Sequence, residues 1–310
     1  MLICNITSPE FSRESLPPCA VALGNFDGVH TGHAALLKKA VSIALERGIT
    51  PAVFTFSKHT QTVLAKRDAP SIVTLDEKLS LFRELGIERV YLADFEKVRE
   101  HTPEKFVKEI LKDKLNTRVA VCGYDFKFGC RGSGSPDDLS LLMDGEAVII
   151  PPVIKRGCAV SSTLIRLAVE KGDVEYAAEM LGRPFFIDFP VIHGKELGRS
   201  IGVPTINQDF PEGHVIPAHG VYACKVDIGE SSYAGVANVG SHPTVDKCAK
   251  VNCETHIIGY TGWLYGEKIK VSFYKKLRDE QKFPTLDELI AQINRDIAET
   301  NDYFASGIEK

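Results

Sequence analysis

The sequence predicts an α/β domain built on a parallel sheet, followed by a small β-barrel with a terminal helix. Three observations predict it. Up to about residue 183, short apolar runs alternate with amphipathic stretches of helical period, the signature of β-α-β units. Beyond Pro184 the apolar runs become short strands punctuated by Gly and Pro. The last segment then returns to helical spacing. Domains over 1–183 and 184–310 follow, and 310 residues with 44% hydrophobic side chains suffice to bury two cores.

In order, Cys19 to Leu23 is an apolar strand, and Leu36, Leu37, Ala40, Val41, Ala44 and Leu45 keep one face of the next helix apolar until Gly48 stops it. Pro51 to Phe56 is the second strand. Thr74 with Glu77 three residues on forms a capping box for a second helix, followed by the strand Arg89 to Leu92. Pro103 suits the first turn of a third helix, Val119 to Cys122 is a strand, and the apolar Val148 to Ile154 leads to a helix starting near Ser161. Such repetition gives a parallel sheet whose ligands bind beyond the carboxyl ends of the strands. In the second half Phe185 to His193, Gly220 to Val226, Tyr233 to Val239, Asn252 to Ile258 and Ile269 to Leu277 read as barrel strands. The closing helix opens with the capping box Thr285 to Glu288 and is expected to bury Leu286, Leu289, Ile290, Ile293 and Ile297.

Charge and cysteine usage narrow the function classes. A net charge of −4 implies no surface for nucleic acid. Met1-Leu2-Ile3-Cys4-Asn5-Ile6 lacks the basic flank and apolar core of a leader, and no apolar run approaches the roughly 18 residues of a span, so a soluble, cytoplasmic chain without membrane partners is expected. The eight cysteines include no Cys-x-x-Cys pair and read as reduced, mostly buried thiols.

The run Gly24-Asn25-Phe26-Asp27-Gly28-Val29-His30-Thr31-Gly32-His33 lies where the first strand turns into the first helix. The leading N–H groups of a helix have no internal partner and its dipole favours negative charge, so a phosphate suits this junction. Gly24 and Gly28 let backbone approach such a ligand, while His30 and His33 add donors aimed at one phosphoryl group. A structural turn or a metal site would use similar residues; the Walker and dinucleotide glycine patterns are absent. Two further segments are expected at the same edge. Gly123-Tyr124-Asp125-Phe126-Lys127-Phe128-Gly129 offers its aromatics to a flat ring, or packs them in the core. Ser161-Ser162-Thr163-Leu164-Ile165-Arg166 offers more hydroxyls than capping needs, plus a guanidinium able to grip phosphate oxygens.

In the second half, His193 to Asn207 holds Gly194, Gly198 and Gly202 beside Arg199, read as a phosphate-cradling loop or as a plain barrel loop. Thr205 and Asn207, two apart on extended chain, face the same way and offer oxygens to Mg²⁺. Glu254 is either a general base or an edge carboxylate.

Taken together these strings resemble the H-x-G-H nucleotidylyltransferases and, in the form G-N-F-D-G-V-H-x-G-H, the adenylyltransferase half of bacterial bifunctional riboflavin kinase/FAD synthetases. The G-x-D-F-x-F-G and S-S-T-x-I-R segments follow in that family's order, then Gly172-Asp173 and Leu181-Gly182-Arg183-Pro184. The string G-R-x-x-G-x-P-T-x-N at 198–207 resembles riboflavin kinases, as do Ala237-Asn238-Val239-Gly240 and Glu254-Thr255-His256-Ile257. The resemblance implies a Rossmann-like FMN adenylyltransferase domain over 1–183 and a riboflavin kinase domain over 184–310, using ATP, Mg²⁺, riboflavin and FMN. It implies that His30 and His33 hold the α-phosphate with Asn25 and Asp27 beside them and Asp125 near the nucleotide. Ser161, Thr163 and Arg166 would hold the β and γ phosphates, and Phe126, Phe128 and Asn238 would meet the flavin. Thr205 and Asn207 would hold the metal, with Glu254 as base.

The chain departs from that pattern at three places. Ser57-Lys58-His59-Thr60 stands where the family has D-P-H-P, His242 where Arg is common, and Trp263 where Asp is common. The first departure leaves open a kinase whose first half only binds nucleotide; a non-catalytic flavin-responsive protein is a separate alternative.

Overall fold

A computed structural model describes residues 1–12, 16–57, 70–194, 198, 202–242 and 250–307. Two compact units divide between Ser162 and Thr163. The first contains strands β1 (Leu2–Asn5), β2 (Cys19–Leu23), β3 (Thr50–Phe56), β4 (Arg89–Ala93), β5 (Thr117–Gly123) and β6 (Ala147–Ile150). They form one parallel sheet in the order β1-β4-β3-β2-β5-β6. From β2 the chain steps outward through β3 and β4, then returns across β2 to lay down β5 and β6. At that reversal the connections leave in opposite directions and open a crevice at the carboxyl ends of β2 and β5.

Helix α1 (Thr31–Arg47) runs between β2 and β3 and ends on Gly48 in the left-handed conformation. Its buried stripe is Leu36, Leu37, Ala40, Ile43 and Ala44. Leu45, expected on that face, is 75% exposed. The stripe instead follows the i, i+3, i+4, i+7 rows, which select Ile43. Helix α2 (Leu75–Glu84) has its capping box complete: the Glu77 N–H donates to Thr74 Oγ1 and the Thr74 N–H to the Glu77 carboxylate. Helix α3 (Pro103–Lys105) continues as wider π-type winding over Phe106–Lys114, where the Leu115 N–H reaches back five residues to the Ile110 carbonyl. Helix α4 (Pro136–Leu142) precedes β6, and the ribbon β7 (Ile154–Lys155) and β8 (Cys158–Ala159) follows it. The core lies on the β2–β5 part of the sheet, with Leu23, Phe54, Tyr91, Phe106 and Leu111 buried in it.

The second unit opens with α5 (Ser162–Glu170) and α6 (Val174–Leu181). From Thr163 on, both fall in the second compact unit, ahead of the change of pattern at residue 183. Val174, Ala177, Met180 and Leu181 give α6 an apolar face, and it packs on β9 (Phe185–Pro190) and β14 (Lys268–Arg278). With β10 (Thr205–Asp209), β11 (Gly220–Ile228), β12 (Ser231–His242) and β13 (Lys250–Ile257) these strands form an antiparallel sheet in the order β10-β13-β12-β11-β14-β9. The sheet curls until its edges meet. The Ile192 N–H donates to the Asn207 carbonyl at 2.8 Å, and the buried Gln208 amide donates to the carbonyls of Phe189 and Ile269, both at 2.7 Å.

Terminal helix α7 (Leu286–Ala305) differs from expectation. Leu286 is 56% exposed and Leu289, Ile290, Ile293 and Ile297 are half-buried, whereas Asp296 and Thr300 are the buried positions. The cause is a fork of hydrogen bonds from Arg278 at the end of β14 to the Asp296 carboxylate, at 2.9 to 3.1 Å, reinforced by Gln292 at 2.8 Å. That pair turns a polar row toward the barrel.

Candidate active sites

The β2–α1 loop is the strained part of the first unit. Phe26 and Val29 have φ of 52° and 41°, in the left-handed region that side chains with a Cβ avoid, and Val is β-branched. Gly28, at φ 77°, faces Ile72, whose methyl would lie 3.0 Å from any added Cβ. The loop delivers His30 to the N-cap of α1, where its Nδ1 accepts the backbone N–H of His33 at 3.2 Å. Nε2 is thereby left to carry the ring hydrogen of the neutral imidazole. The two rings stack at 3.6 Å between centroids and 17° between planes, while the Phe26 edge meets His33 at 5.2 Å. Burial first, then the neighbouring His30 and Lys78, hold the His33 imidazolium well below its usual range, so His33 is neutral at neutral pH. Its buried Nδ1 has no hydrogen-bond partner among the described residues.

Neighbouring elements fix this loop. The Asn25 carbonyl accepts from Thr55 Oγ1 and from Lys78 Nζ, each at 3.0 Å. Asp27 is buried and its Oδ1 accepts the Ile72 N–H at 2.9 Å, while its main-chain carbonyl accepts the Ser162 hydroxyl at 3.0 Å. The carboxylate of Asp27 therefore holds the loop to the segment leading into α2. Gly24 is half-buried against the Phe26 ring, and Ser161 is half-buried at the end of the first unit. Thr163 and Arg166 belong to the second unit, exposed and buried respectively.

At the neighbouring strand end Asp125 is exposed, and Phe126 stacks on Phe128 at 5.7 Å. Phe128, expected at the flavin, is 5% exposed and packs on Phe106 within the core. The loop returns on itself through the Phe128–Gly134 bridge, which turns that ring inward. Phe126 is half-buried against the core, and Tyr124, 49% exposed, is the more exposed aromatic of this loop.

The second constellation lies on the barrel wall. Cys253 and Thr255 point inward at 0% exposure, so the alternation of a strand places Glu254 and His256 on the outer face. In register, Glu254 sits opposite Asn207 on β10 and opposite Asn238 on β12, and Thr205 sits opposite His256. Asn207 is 7% exposed and its Oδ1 accepts from the Asn252 amide at 3.2 Å. Gly194 packs directly on it: a Cβ there would lie 2.7 Å from Asn207 Cγ, so only glycine lets the chain pass. The Val203 N–H closes back onto the Gly198 carbonyl at 2.8 Å, and Gly202 is exposed. Arg199 lies outside the described residues, as do Lys58, His59 and Thr60; Ser57 donates to the Ala93 carbonyl at 3.4 Å.

Sequence reasoning missed several neighbours. Lys78 is placed at the first site only by the packing of α2, although Glu77 beside it was legible as a cap. Glu280 lies over Gly240, two residues along β12 from Asn238, and pairs with His219 at 3.7 Å. The His193 ring stacks on Tyr265 at 3.9 Å, with Trp263 next at 5.6 Å, an aromatic patch beside the glycine loop. Burial pushes the Cys122 and Cys253 thiols up to about 12, which leaves both unreactive.

The FAD synthetase family profile matches residues 12–164, and the riboflavin kinase profile matches residues 181–304. The chain is 36% identical to the bifunctional riboflavin kinase/FMN adenylyltransferase of Bacillus subtilis (strain 168), over 99% of each protein. The protein of the same name from Escherichia coli (strain K12) is 36% identical across 92% of this chain and 93% of its own length. A crystal structure of a protein called a macrolide-efflux protein, from Streptococcus pneumoniae, is similar at a TM-score of 0.87 and 30% identity, covering 97% of this chain and 99% of that one. Among the described residues no helix is long and apolar enough to cross a membrane. With both profiles matched in order and near full-length identity, the chain belongs to the bifunctional riboflavin kinase/FMN adenylyltransferase family.

Proposed function

We propose that residues 184–310 phosphorylate riboflavin to FMN with ATP, and that residues 1–183 transfer AMP from a second ATP to FMN, giving FAD and pyrophosphate. The observation that supports this most is the pairing of two unlike constellations on two sheets: stacked histidines at a helix N-terminus, and Glu254 between Asn207 and Asn238.

In adenylyl transfer an oxygen of the FMN phosphate attacks the α-phosphorus of ATP, and the bond to the bridging oxygen breaks to release pyrophosphate. No protein nucleophile is needed. The Nε2–H of His30, the His33 ring and the N–H groups that open α1 act on the charge gathering on the α-phosphate oxygens. Ser161, Thr163 and Arg166 are assigned to the departing pyrophosphate, Asp125 to the nucleotide and Phe126 to the flavin. In the kinase step the terminal ribityl hydroxyl attacks the γ-phosphorus, its proton passes to the Glu254 carboxylate, and ADP leaves. Gly194, Gly198, Arg199 and Gly202 are assigned to the phosphate-cradling loop, and Asn238 to the flavin. Thr205 and Asn207 supply neutral oxygens on one face beside a carboxylate, a hard donor set that fits Mg²⁺, whose charge would offset that of the phosphates.

Incubating the full chain with riboflavin, ATP and Mg²⁺ and separating the flavins by chromatography tests the proposal. FMN followed by FAD is the expected outcome. FMN alone would make the first half a nucleotide-binding domain without transfer, and no product would make the chain a flavin-responsive binder.

A further inference from the structure

Three sets of donors converge on the β2–α1 loop, the two imidazoles, the N–H groups that open α1 and Lys78, and the last has no part in the mechanism so far. Lys78 sits in the second turn of α2, its backbone N–H on the Thr74 carbonyl at 3.0 Å and therefore locked to the Thr74–Glu77 cap. From there its half-buried side chain reaches the Asn25 main-chain carbonyl at 3.0 Å. An ammonium has three donors. Among the described residues this neutral carbonyl is its only hydrogen-bond acceptor, and it is shared with Thr55.

Asp27 lies within electrostatic reach, but its Oδ1 is on the Ile72 N–H. Burial lowers the Lys78 ammonium below its ordinary range, with Asp27 acting the other way, and the same ammonium helps to hold His33 down. Lys78 and His33 thus feel each other, at the positive end of α1 and beside His30. Without a ligand, burying an amine next to two imidazoles and a helix N-terminus costs stability. A polyanion bound among them compensates the buried amine and the helix N-terminus together.

We propose that Lys78 is a further catalytic cation of adenylyl transfer, contacting the phosphates of ATP beside His30 and His33 while the Asn25 carbonyl aims its ammonium. The proposal rests on the assignment of that reaction to the β2–α1 loop. As the α-phosphate passes through its five-coordinate state, the two N–H donors of Lys78 that have no acceptor among the described residues gain charge to act on, so the loss on removal falls mainly on kcat.

Full-length K78M, K78R and H33A variants test it, each assayed separately for FMN adenylylation and for riboflavin phosphorylation. K78M should lower adenylylation kcat about 10²-fold, the usual loss for one transition-state donor, with the KM for ATP nearly constant and phosphorylation intact. K78R should recover a large part of it. In ligand-free K78M the His33 ring should titrate at higher pH by NMR, because one of the charges that depress it is gone while His30 and Asp27 remain. Adenylylation by K78M within threefold of the wild type, with H33A inactive, overturns the proposal alone. A K78M loss that follows a lowered Tm, without an NMR shift or rescue by Arg, also overturns it. Near-normal adenylylation by H33A would overturn the site reading beneath it, and the proposal with it.

Discussion

The two halves of the chain build their sites by opposite means. In the parallel unit the site is made by topology: the carboxyl ends of β2 and β5 lie side by side because the strand order reverses at β2, and residues far apart in sequence, such as His33, Thr55 and Lys78, are joined through one strained loop. In the antiparallel unit the site is made by register. Thr205 and Asn207 on β10, Glu254 on β13 and Asn238 on β12 share a face because residues two apart on a strand do. The first arrangement depends on backbone conformation and on tertiary packing, the second on pleat and pairing. Substitutions that respect the backbone should therefore divide the two activities cleanly.

The largest separation is expected from Glu254→Gln, which removes the proton acceptor but keeps the shape. Riboflavin phosphorylation should fall about 10² to 10⁴-fold while FMN adenylylation continues, as steady-state assays of each reaction on one preparation would reveal. Near-normal phosphorylation would take the base role away from Glu254. The reciprocal variant, His33→Ala, should lower adenylylation about 10² to 10³-fold and spare phosphorylation. Equal loss of both activities in a folded variant would contradict two independent sites.

A smaller effect should mark the anchoring of α7. Asp296 is 4% exposed at its side chain and Arg278 20%, so Asp296→Ala strands a partly buried guanidinium and should cost about 3 kcal/mol in urea unfolding of the barrel unit. Lys275 on β14 and Glu299 on α7, a more exposed pair of similar length that also joins strand to helix, should cost below about 1 kcal/mol when Lys275 is replaced by Ala. Equal costs would show that the helix is held by its half-buried apolar side chains instead.

The smallest effect concerns pH and belongs to the parallel unit. His33 has a folded pKa well below 6.5, so on acidification the unfolded chain takes up the proton first. The unfolded state then binds more protons and stability falls as pH drops through about 6.5, continuing until the folded pKa is reached. Thermal unfolding between pH 8 and pH 5 should show this slope for the wild type and a shallower one for His33→Gln. A phosphate ligand at the loop should flatten it too, by favouring the charged ring.

Where signals are local, the sequence was legible. The loop from Gly24 to His33 and the capping box at Thr74 are short-range chemistry and occur where their patterns place them; at Thr285 half of the expected box forms, the hydroxyl accepting the Glu288 N–H and donating to the Glu288 carboxylate. Glu254 was equally accessible, since period-two alternation from Cys253 to Ile257 sets which side chains face out. Long-range placement was not. Strand β1 is short and mostly exposed, so nothing in Leu2–Asn5 foretells its pairing with β4. Lys78 and Glu280 reach their sites through packing between elements distant in sequence. Phe128, read as meeting a flat ring or packing in the core, is drawn inward by Phe106, and Asp296, which the apolar pattern of the last helix does not mark, is buried by Arg278.

The closure of the barrel has a consequence for exchange with solvent. Strands β11 and β12 are paired along their length from Gly220–Val239 to Ile228–Ser231, whereas β9 and β10 meet at the Ile192–Asn207 bridge with the Gln208 amide beside it. Local opening starts where few hydrogen bonds must break together, so this seam is the low-energy fluctuation of the second unit, and its amide hydrogens should be the first in the barrel to exchange. Asn207 forms one lip of the seam and Gly194 lies two residues past the other. The breathing of the wall is thus concentrated beside the loop proposed to cradle the phosphates, while the interior packed around Tyr222 and Phe273 stays shut.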